Sequence, residues 1–158
     1  MIIKFFKSLG YALKGIWLGI REERNVRIDI VMALYVLFFS SFYQFDSFQI
    51  ALIILICFLV PAFEMMNTSV ERTVKDPHPD RYMIAGEAKD TAAGAVLIVA
   101  VGALLAGAVT FWDIEILTDI YKYYSGSLSN SLALAGSLVL AYCFIISDKL
   151  FKKKNRKK

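Results

Sequence analysis

Residues 47–71 read SFQIALIILICFLVPAFEMMNTSVE, and this stretch sets the architecture of the chain. Seventeen uncharged, mostly apolar residues precede the first charged one, Glu64. A helix needs about 17 to 25 such residues to cross the hydrocarbon core of a bilayer. Asn67 and Glu71 follow three and seven positions later, and on a continuous helix they share a face with Glu64. The stretch therefore predicts a membrane helix with carboxylates on one face of one end.

The composition of the whole chain agrees with this. Of its 158 residues, 58% are hydrophobic and 20% are charged, whereas soluble domains are roughly half apolar and a quarter charged. Both cysteines, Cys57 and Cys143, lie in apolar runs and give no disulfide framework. We therefore exclude a soluble globular protein and predict an all-α integral membrane protein.

Three further uncharged runs bring the number of predicted membrane spans to four. They cover residues 30–45, 91–112 and 123–147. The first span has to begin near Val26 and enclose Asp29, and the second has to continue past Glu64 toward Val70, if both are to reach spanning length. Residues 43–47 then form a tight turn between antiparallel helices.

The basic residues predict the orientation of these spans. Of the 18 Lys and Arg residues, 17 fall before or at the start of the first span, between the second and third spans, or in the tail; the exception is Lys122. Cytoplasmic loops carry the excess of Lys and Arg in membrane proteins. We therefore expect both termini, and the loop between the second and third spans, in the cytoplasm.

The N-terminal segment predicts an amphipathic helix ahead of the first span. Its apolar residues recur at helical spacing, and its lysines repeat on the other side. Such a helix either lies in the cytoplasmic interface of the membrane or packs on the protein's own bundle. The third span contains many small residues, including the pair Ala103 and Gly107, which predicts close helix packing within or between chains.

Three clusters of charged residues fall at the predicted cytoplasmic ends of the spans. Each has a purely structural alternative. Glu64 could make an inter-helix hydrogen bond or ion pair, and Glu71 could be a solvated helix-end charge. In residues 21–29, Glu23 and Arg27 could stabilise each other as an i, i+4 pair. In residues 86–90, Asp90 could be a helix N-terminal carboxylate and Lys89 a membrane anchor.

Taken together, the clusters place carboxylates, an amide and a lysine at one membrane surface. Carboxylates suit Mg²⁺ bound with substrate phosphates, lysine suits the phosphates, and a shielded carboxylate suits a general base. The pattern predicts phosphoryl transfer to a lipid hydroxyl, although the chain has neither a GxxxxGK[ST] nor a GxGxxG motif. His78, the single histidine, lies in a DPHPD segment without cysteine and does not indicate zinc.

At these residues the sequence resembles the bacterial integral-membrane lipid kinases, the family of prokaryotic diacylglycerol kinase and undecaprenol kinase. The resemblance runs from about Phe5 to Trp112. It is carried by GYALKG at 10–15, ERNVRID at 23–29, EMMNTSVE at 64–71 and AKDTAAGAV at 88–96. It implies a kinase that uses ATP and Mg²⁺ and assembles as a homotrimer with shared active sites.

The resemblance also implies roles for individual residues. Glu64 matches the catalytic base, and Glu23 and Glu71 match the carboxylates that hold the metal against the phosphates. Asn67 and Arg27 are assigned supporting roles beside them. The expected ATP-binding residues are Tyr11, Glu23, Glu71, Asp80, Arg81, Tyr82, Lys89 and Asp90. Lys75 departs from the pattern, because the family commonly has an aspartate there; Ser69 in place of alanine is a milder change.

The sequence thus predicts a kinase core in residues 1–112 and, in residues 113–158, an additional span with a basic cytoplasmic tail. The ERNVRI stretch resembles the family members that phosphorylate undecaprenol more than those that act on diacylglycerol, so the resemblance favours undecaprenol as the acceptor, with diacylglycerol as the alternative. The resemblance also implies that the protein lies in a bacterial cytoplasmic membrane. A remoter alternative is a non-catalytic membrane assembly or transport protein, in which Glu64 relays protons or makes a structural hydrogen bond.

Overall fold

A computed structural model describes residues 2–147, and this part of the chain is helical, with no β-strand in it. A short 3-10 turn, Pro79–Arg81, precedes the fourth helix. The six α-helices are α1 (Ile2–Glu22), α2 (Arg24–Ser40), α3 (Ser47–Thr73), α4 (Tyr82–Phe111), α5 (Ile114–Ser125) and α6 (Leu128–Ile146). The predicted basic tail lies almost wholly outside the described residues.

The central helix of the bundle is α3, which packs against α2 on one side and α4 on the other. It begins with a capping box, in which the Asp46 carboxylate accepts from the backbone N–H of Gln49 while the Gln49 side chain accepts from that of Asp46. The helix then continues without interruption to Thr73. The prediction that the second span runs past Glu64 is therefore confirmed.

Three helices of the described part are long and apolar enough to cross a membrane: Ser47–Thr73, Pro79–Phe111 and Leu128–Ile146. The helix predicted as the first span, α2, has 17 residues and is not among these three, so the structure does not confirm the predicted count of four spans. It lies alongside two of the longer helices. The Cys57 thiol of α3 is 3.9 Å from the Ala33 carbonyl of α2, and the Tyr35 hydroxyl of α2 is 3.0 Å from Oγ of Ser137 in α6.

Helix α1 contacts the rest of the bundle near its C-terminal end. Gly19 is its one buried residue, and a Cβ at that position would lie 3.3 Å from the Met65 side chain of α3, so glycine allows the close approach. Apolar residues earlier in the helix, such as Phe5 and Leu13, are exposed. Packing on the bundle, one of the two predicted arrangements, thus applies to its last turns.

Helix α5 was not predicted, since residues 113–122 read as a charged connection. Asp113 caps it by accepting from the backbone N–H groups of Glu115 and Ile116. At its other end, Asn130 and Ser131 donate to the Tyr123 and Tyr124 carbonyls. These bonds satisfy carbonyls that lack a donor at the end of a helix. The uncharged run 123–147, predicted as one span, is thus divided between the end of α5 and α6.

The start of α4 at Tyr82 corrects one interpretation of Asp90. Because Asp90 lies two turns inside the helix, it is not a helix N-terminal carboxylate. Close packing of the small residues of α4 was predicted within or between chains, and at its glycines it is not seen within one chain: apart from chain neighbours and the backbone of the helix itself, no described atom lies within 4 Å of a Cβ placed at Gly94, Gly102 or Gly107.

Aromatic residues close the end of the bundle remote from Glu64. Tyr43 stacks on Phe45, both rings meet Phe111 edge-on, and the Tyr43 hydroxyl donates to the Phe111 carbonyl at 2.8 Å. Burial, with a further contribution from Asp113, raises the pKa of Tyr43 above its usual value. The phenol therefore stays protonated and keeps this hydrogen bond at physiological pH.

Candidate active site

A cavity of about 550 Å³, with several charged residues in its lining, opens where the start of α2, the end of α3 and the first half of α4 meet. Five residues singled out from the sequence line it: Glu23, Glu71, Tyr82, Lys89 and Asp90. They come from three separate segments of the chain, which the packing of α3 against its neighbours brings together. The remaining lining residues are Thr68, Arg72, Val74, Lys75, Pro77, Ala85 and Gly86.

Glu23 enters this cavity from the junction between α1 and α2. It is the single residue between α1 and α2, and its backbone is extended, with φ −109° and ψ 119°. Its Oε1 accepts from Nη2 of Arg72 in α3 at 2.8 Å, and the same guanidinium lies 3.2 Å from Glu22. Glu23 therefore pairs with Arg72 across the site, rather than with Arg27 along its own helix.

Glu64 lies one to two turns from the cavity-lining Glu71, on the same face of α3. The residue is 7% exposed, and its Oε1 accepts a hydrogen bond of 2.7 Å from the Asn25 side chain of α2. The carboxylate of Asp29, also on α2, is close enough to interact with it electrostatically. The inter-helix hydrogen bond considered from the sequence is thus present, and it holds the Glu64 carboxylate at the α2–α3 interface.

Asn67 stands between these two carboxylates on the face of α3. Its side-chain oxygen Oδ1 is buried and accepts no hydrogen bond from the part of the chain that the structure describes. Leaving a buried acceptor without a donor costs roughly 1–3 kcal/mol. Asn67 thus carries, one turn from Glu64, a buried acceptor that no donor of the described residues satisfies.

The other predicted site residues lie outside the cavity lining. Tyr11 is 74% exposed on α1. Asp80 and Arg81 form part of the 3-10 turn, where Asp80 pairs with His78 at 3.2 Å. Arg27 lies in the first turn of α2, after Glu23, and its side chain is buried.

These geometric features agree with the comparison with known proteins. The family model for prokaryotic diacylglycerol kinase matches residues 10–111, which run from α1 to the end of α4. The chain belongs to the prokaryotic diacylglycerol kinase family. It is accordingly a membrane lipid kinase, an enzyme that transfers phosphate to an alcohol group. The alternative of a non-catalytic assembly or transport protein is set aside.

Relatives with two different names match the chain. Undecaprenol kinase of Bacillus subtilis is 33% identical over 108 residues, covering 68% of this chain and 88% of that protein. Diacylglycerol kinase of Helicobacter pylori is 33% identical over 95 residues, covering 60% and 74%. Diacylglycerol kinase of Escherichia coli is 26% identical over 110 residues, covering 70% and 90%. No solved structure matches.

The carboxylates of this lipid kinase fit a divalent metal that is shared with substrate. Mg²⁺ keeps several waters and is usually bound by one or two carboxylates together with phosphates. Glu23 and Glu71 line the same cavity and supply such a pair. The described residues contain no group of three or more His, Cys, Asp or Glu side chains able to enclose a metal by themselves, so phosphate oxygens would have to complete the coordination.

Two residues of the kinase site were missed by the sequence reasoning. Arg72 pairs with Glu23 from 49 positions away, and Asn25 reaches Glu64 from 39 positions away. Arg72 directly follows Glu71, and Asn25 lies two positions after Glu23 within the ERNVRID motif. Their positions in those motifs were the available signal, but spacing along the chain does not report contacts between separate helices.

Proposed function

We propose that the protein is an ATP- and Mg²⁺-dependent undecaprenol kinase, which transfers the γ-phosphate of ATP to the lipid hydroxyl and forms undecaprenyl phosphate. The observation that carries the proposal is the cavity that joins Glu23 and Glu71 with Lys89 and Asp90 at one end of the membrane helices. Carboxylates for a metal and a lysine for phosphates are the parts that phosphoryl transfer requires.

In this mechanism the residues of the cavity bind and orient the nucleotide. Lys89 contacts the phosphates as a compact positive charge, while Tyr82 and Asp90 line the space for the rest of the nucleotide. Glu23 and Glu71 would hold Mg²⁺, which when bound would neutralise negative charge on the phosphates. Arg72 lines the same cavity and pairs with Glu23, so its positive charge is available to the phosphates.

Glu64 and Asn67 act on the lipid. Glu64 accepts the proton of the lipid hydroxyl as that oxygen bonds to the γ-phosphorus, and the bond from that phosphorus to the β,γ-bridging oxygen breaks, so that ADP leaves with the bridging oxygen. The buried Oδ1 of Asn67 orients the hydroxyl before the proton moves. Positioning of this kind contributes a large share of enzymatic rate enhancement, since there is little covalent chemistry for the protein itself to perform.

The lipid chain has an apolar path beside the catalytic residues. A second cavity, of about 540 Å³, runs between α2, α3 and α4, with Asp29 at one end and Trp112 at the other. Most of its lining is apolar, including Ile53, Ile56 and Leu104. The cavity suits a hydrocarbon chain whose hydroxyl end approaches Glu64, the neighbour of Asp29.

The choice of undecaprenol rests on the ERNVRI stretch and on the similarity to the Bacillus subtilis undecaprenol kinase. Diacylglycerol is the second candidate, because diacylglycerol kinases of Helicobacter pylori have the same identity of 33% over a shorter alignment. Either lipid presents a hydroxyl at the membrane surface to the same residues.

For topology, we propose four spans with both termini in the cytoplasm and α1 in the membrane interface. The support for α2 as a span is its packing along α3 and α6, which are both long enough to cross. The exposed apolar side of α1 supports its interfacial location. The division into a kinase core (1–112) and an additional unit (113–158) is supported by the family match, which stops at residue 111.

We further propose a homotrimer, as the resemblance implies. Leu97, Val101 and Leu105 leave a side of α4 exposed outside the apolar cavity, and Gly94 and Gly102 have open space beside them. Small residues let helices approach closely in lipid, so α4 is suited to contact a second copy. Tyr11, which is exposed in one chain, is then available to a neighbouring subunit's site.

The test is phosphate transfer from γ-labelled ATP by the purified protein in lipid-detergent micelles, with undecaprenol and diacylglycerol assayed in parallel. We expect label in undecaprenyl phosphate, dependence on Mg²⁺, and a higher kcat/KM for undecaprenol. A higher kcat/KM for diacylglycerol would replace the proposed acceptor, and label in neither lipid would overturn the proposal.

A further inference from the structure

The side chain of Arg27 joins three helices beside the active site. It is completely buried, with 0% exposure. Its Nη1 donates to the carbonyls of Ile20 and Arg21 at 3.0 and 3.1 Å, and its Nε donates to the carbonyl of Ile145 at 3.2 Å. Arg27 belongs to the first turn of α2, while its acceptors belong to the last turns of α1 and α6.

These contacts have a clear physical basis. The last four carbonyls of a helix lack donors within the helix, and they form the negative end of its dipole. A buried guanidinium is costly unless it is hydrogen-bonded, and its planar fork can serve several oxygens at once. Arg27 and the two helix ends therefore stabilise one another, and the C-terminal ends of α1 and α6 are held to the start of α2.

The position of Glu23 depends on this arrangement. Glu23 is the single residue, with an extended backbone, at the junction between α1 and α2. Arg27 belongs to α2 and donates to two carbonyls of α1, so it fixes the angle between α1 and α2. The same angle directs the Glu23 carboxylate into the cavity, where it meets Arg72.

Helix α6 is docked along α2 at more than this one point. The Tyr35 hydroxyl contacts Ser137 near the middle of α6. Farther along, Phe39 and Phe42 meet the rings of Tyr124 and Tyr123, at the end of α5, with centroids 6.4 and 5.6 Å apart. Together, α6 and the end of α5 thus contact α2 from its first turn to the residues just after its end, although both helices lie beyond the residues that the family model matches.

We propose that α6 is a positioning element for the phosphoryl-transfer site, and that it acts through the Ile145 carbonyl and Arg27 on the metal ligand Glu23. The inference rests on the proposed function, because it concerns the residue assigned to Mg²⁺ and ATP. It gives the additional helix a role in nucleotide binding, beyond returning the chain across the membrane.

The first test displaces α6 without altering any residue of the site. In the full-length protein, Ser137→Trp introduces a bulky side chain where α6 contacts α2, and Val139→Trp introduces the same side chain at a position that is 61% exposed. We expect Ser137→Trp to weaken binding of a fluorescent ATP analogue with Mg²⁺, and to raise KM for MgATP, by roughly tenfold, as loss of a supporting shell typically does. Val139→Trp should match the parent protein.

A second variant tests the path through Arg27. Arg27→Lys keeps the positive charge and removes the planar fork, so we expect a similar increase in KM for MgATP with a smaller change in kcat. Because both changes act through the same junction, the double variant Arg27→Lys/Ser137→Trp should be no worse than the more affected single variant.

The outcomes separate this inference from the proposed function. A parent protein that neither binds the ATP analogue nor transfers phosphate would contradict the proposed function itself. If the parent is active, an unchanged MgATP affinity in Arg27→Lys, or effects that multiply in the double variant, would overturn the role of α6. Equal effects of Ser137→Trp and Val139→Trp would also overturn it, since displacement of α6 from α2 would then not be the cause.

Discussion

The Glu64 carboxylate accepts a hydrogen bond from the Asn25 amide of α2, and the same face of α3 continues from Glu64 to Glu71, which lines the charged cavity. We expect Glu64→Gln to reduce kcat by roughly a hundredfold or more, because it removes the proton acceptor, a group that typically contributes 10²–10⁴-fold. Binding of the ATP analogue should be retained. The assay is steady-state lipid phosphorylation beside nucleotide titration.

Two matched variants sharpen this prediction. Glu71→Gln should mainly weaken MgATP binding, since Glu71 lines the charged cavity. Glu87→Gln changes an exposed carboxylate of α4 that does not line this cavity, and it should leave activity as in the parent protein. An unchanged kcat in Glu64→Gln would contradict the assignment of Glu64 as the general base.

Asn25 is a positioning residue for the same carboxylate. Removing its 2.7 Å hydrogen bond to Glu64 in Asn25→Ala should lower kcat roughly tenfold, the equivalent of one hydrogen bond to a charged group. KM for MgATP should change little, because Asn25 does not line the nucleotide cavity. Arg24→Ala, at the exposed neighbouring position, is the control. An increase in KM with unchanged kcat would assign Asn25 to nucleotide binding instead.

The residues of α3 were predictable from sequence because a helix has a fixed period. The spacing of Glu64, Asn67 and Glu71 places them on one face wherever the helix is continuous, and α3 is continuous to Thr73. The pairs Glu64–Asn25 and Glu23–Arg72 were not predictable in the same way. They depend on how separate helices are rotated and stacked, which the period of each helix does not specify.

At the scale of helices, the capping box at the start of α3 offers a clean test of local stability. Asp46→Ala removes the side-chain acceptor for the Gln49 N–H, and we expect it to lower the free energy of unfolding by about 1 kcal/mol. Helicity measured against SDS mole fraction in mixed micelles checks this value. Asp46→Asn retains a capping oxygen and should restore most of the stability; equal losses in both variants would contradict the capping explanation.

Helix α5 shows where sequence patterns mislead at this scale. The charges Asp113, Glu115, Asp119 and Lys122 read as a connection, yet Asp113 is a helix cap and Lys122 lies 3.5 Å from Asp119 on the helix surface. Charges in a short segment are compatible with a helix that has one solvated side. The boundary at Gly126 then depends on polar side chains of α6 that contact the end of α5.

For the whole molecule, the four-span topology predicts on which side of the membrane each connection lies. A reporter fused after Gly126, between α5 and α6, should be active only if it is a periplasmic reporter such as alkaline phosphatase. A fusion after residue 158 should be active with a cytoplasmic reporter such as a fluorescent protein. The opposite pattern at either position would show that α2 or α6 does not cross the membrane.

The bond between Arg27 and Ile145 also has a consequence for synthesis of the protein. It joins positions 118 residues apart, in the first turn of α2 and the last turn of α6. This contact can therefore form only after Ile145 has been synthesised, whereas the residues that line the charged cavity have all been made by Asp90. If α6 positions Glu23 as proposed, a chain that stops before Ile145 would carry the cavity-lining side chains without this bond and would bind ATP less tightly.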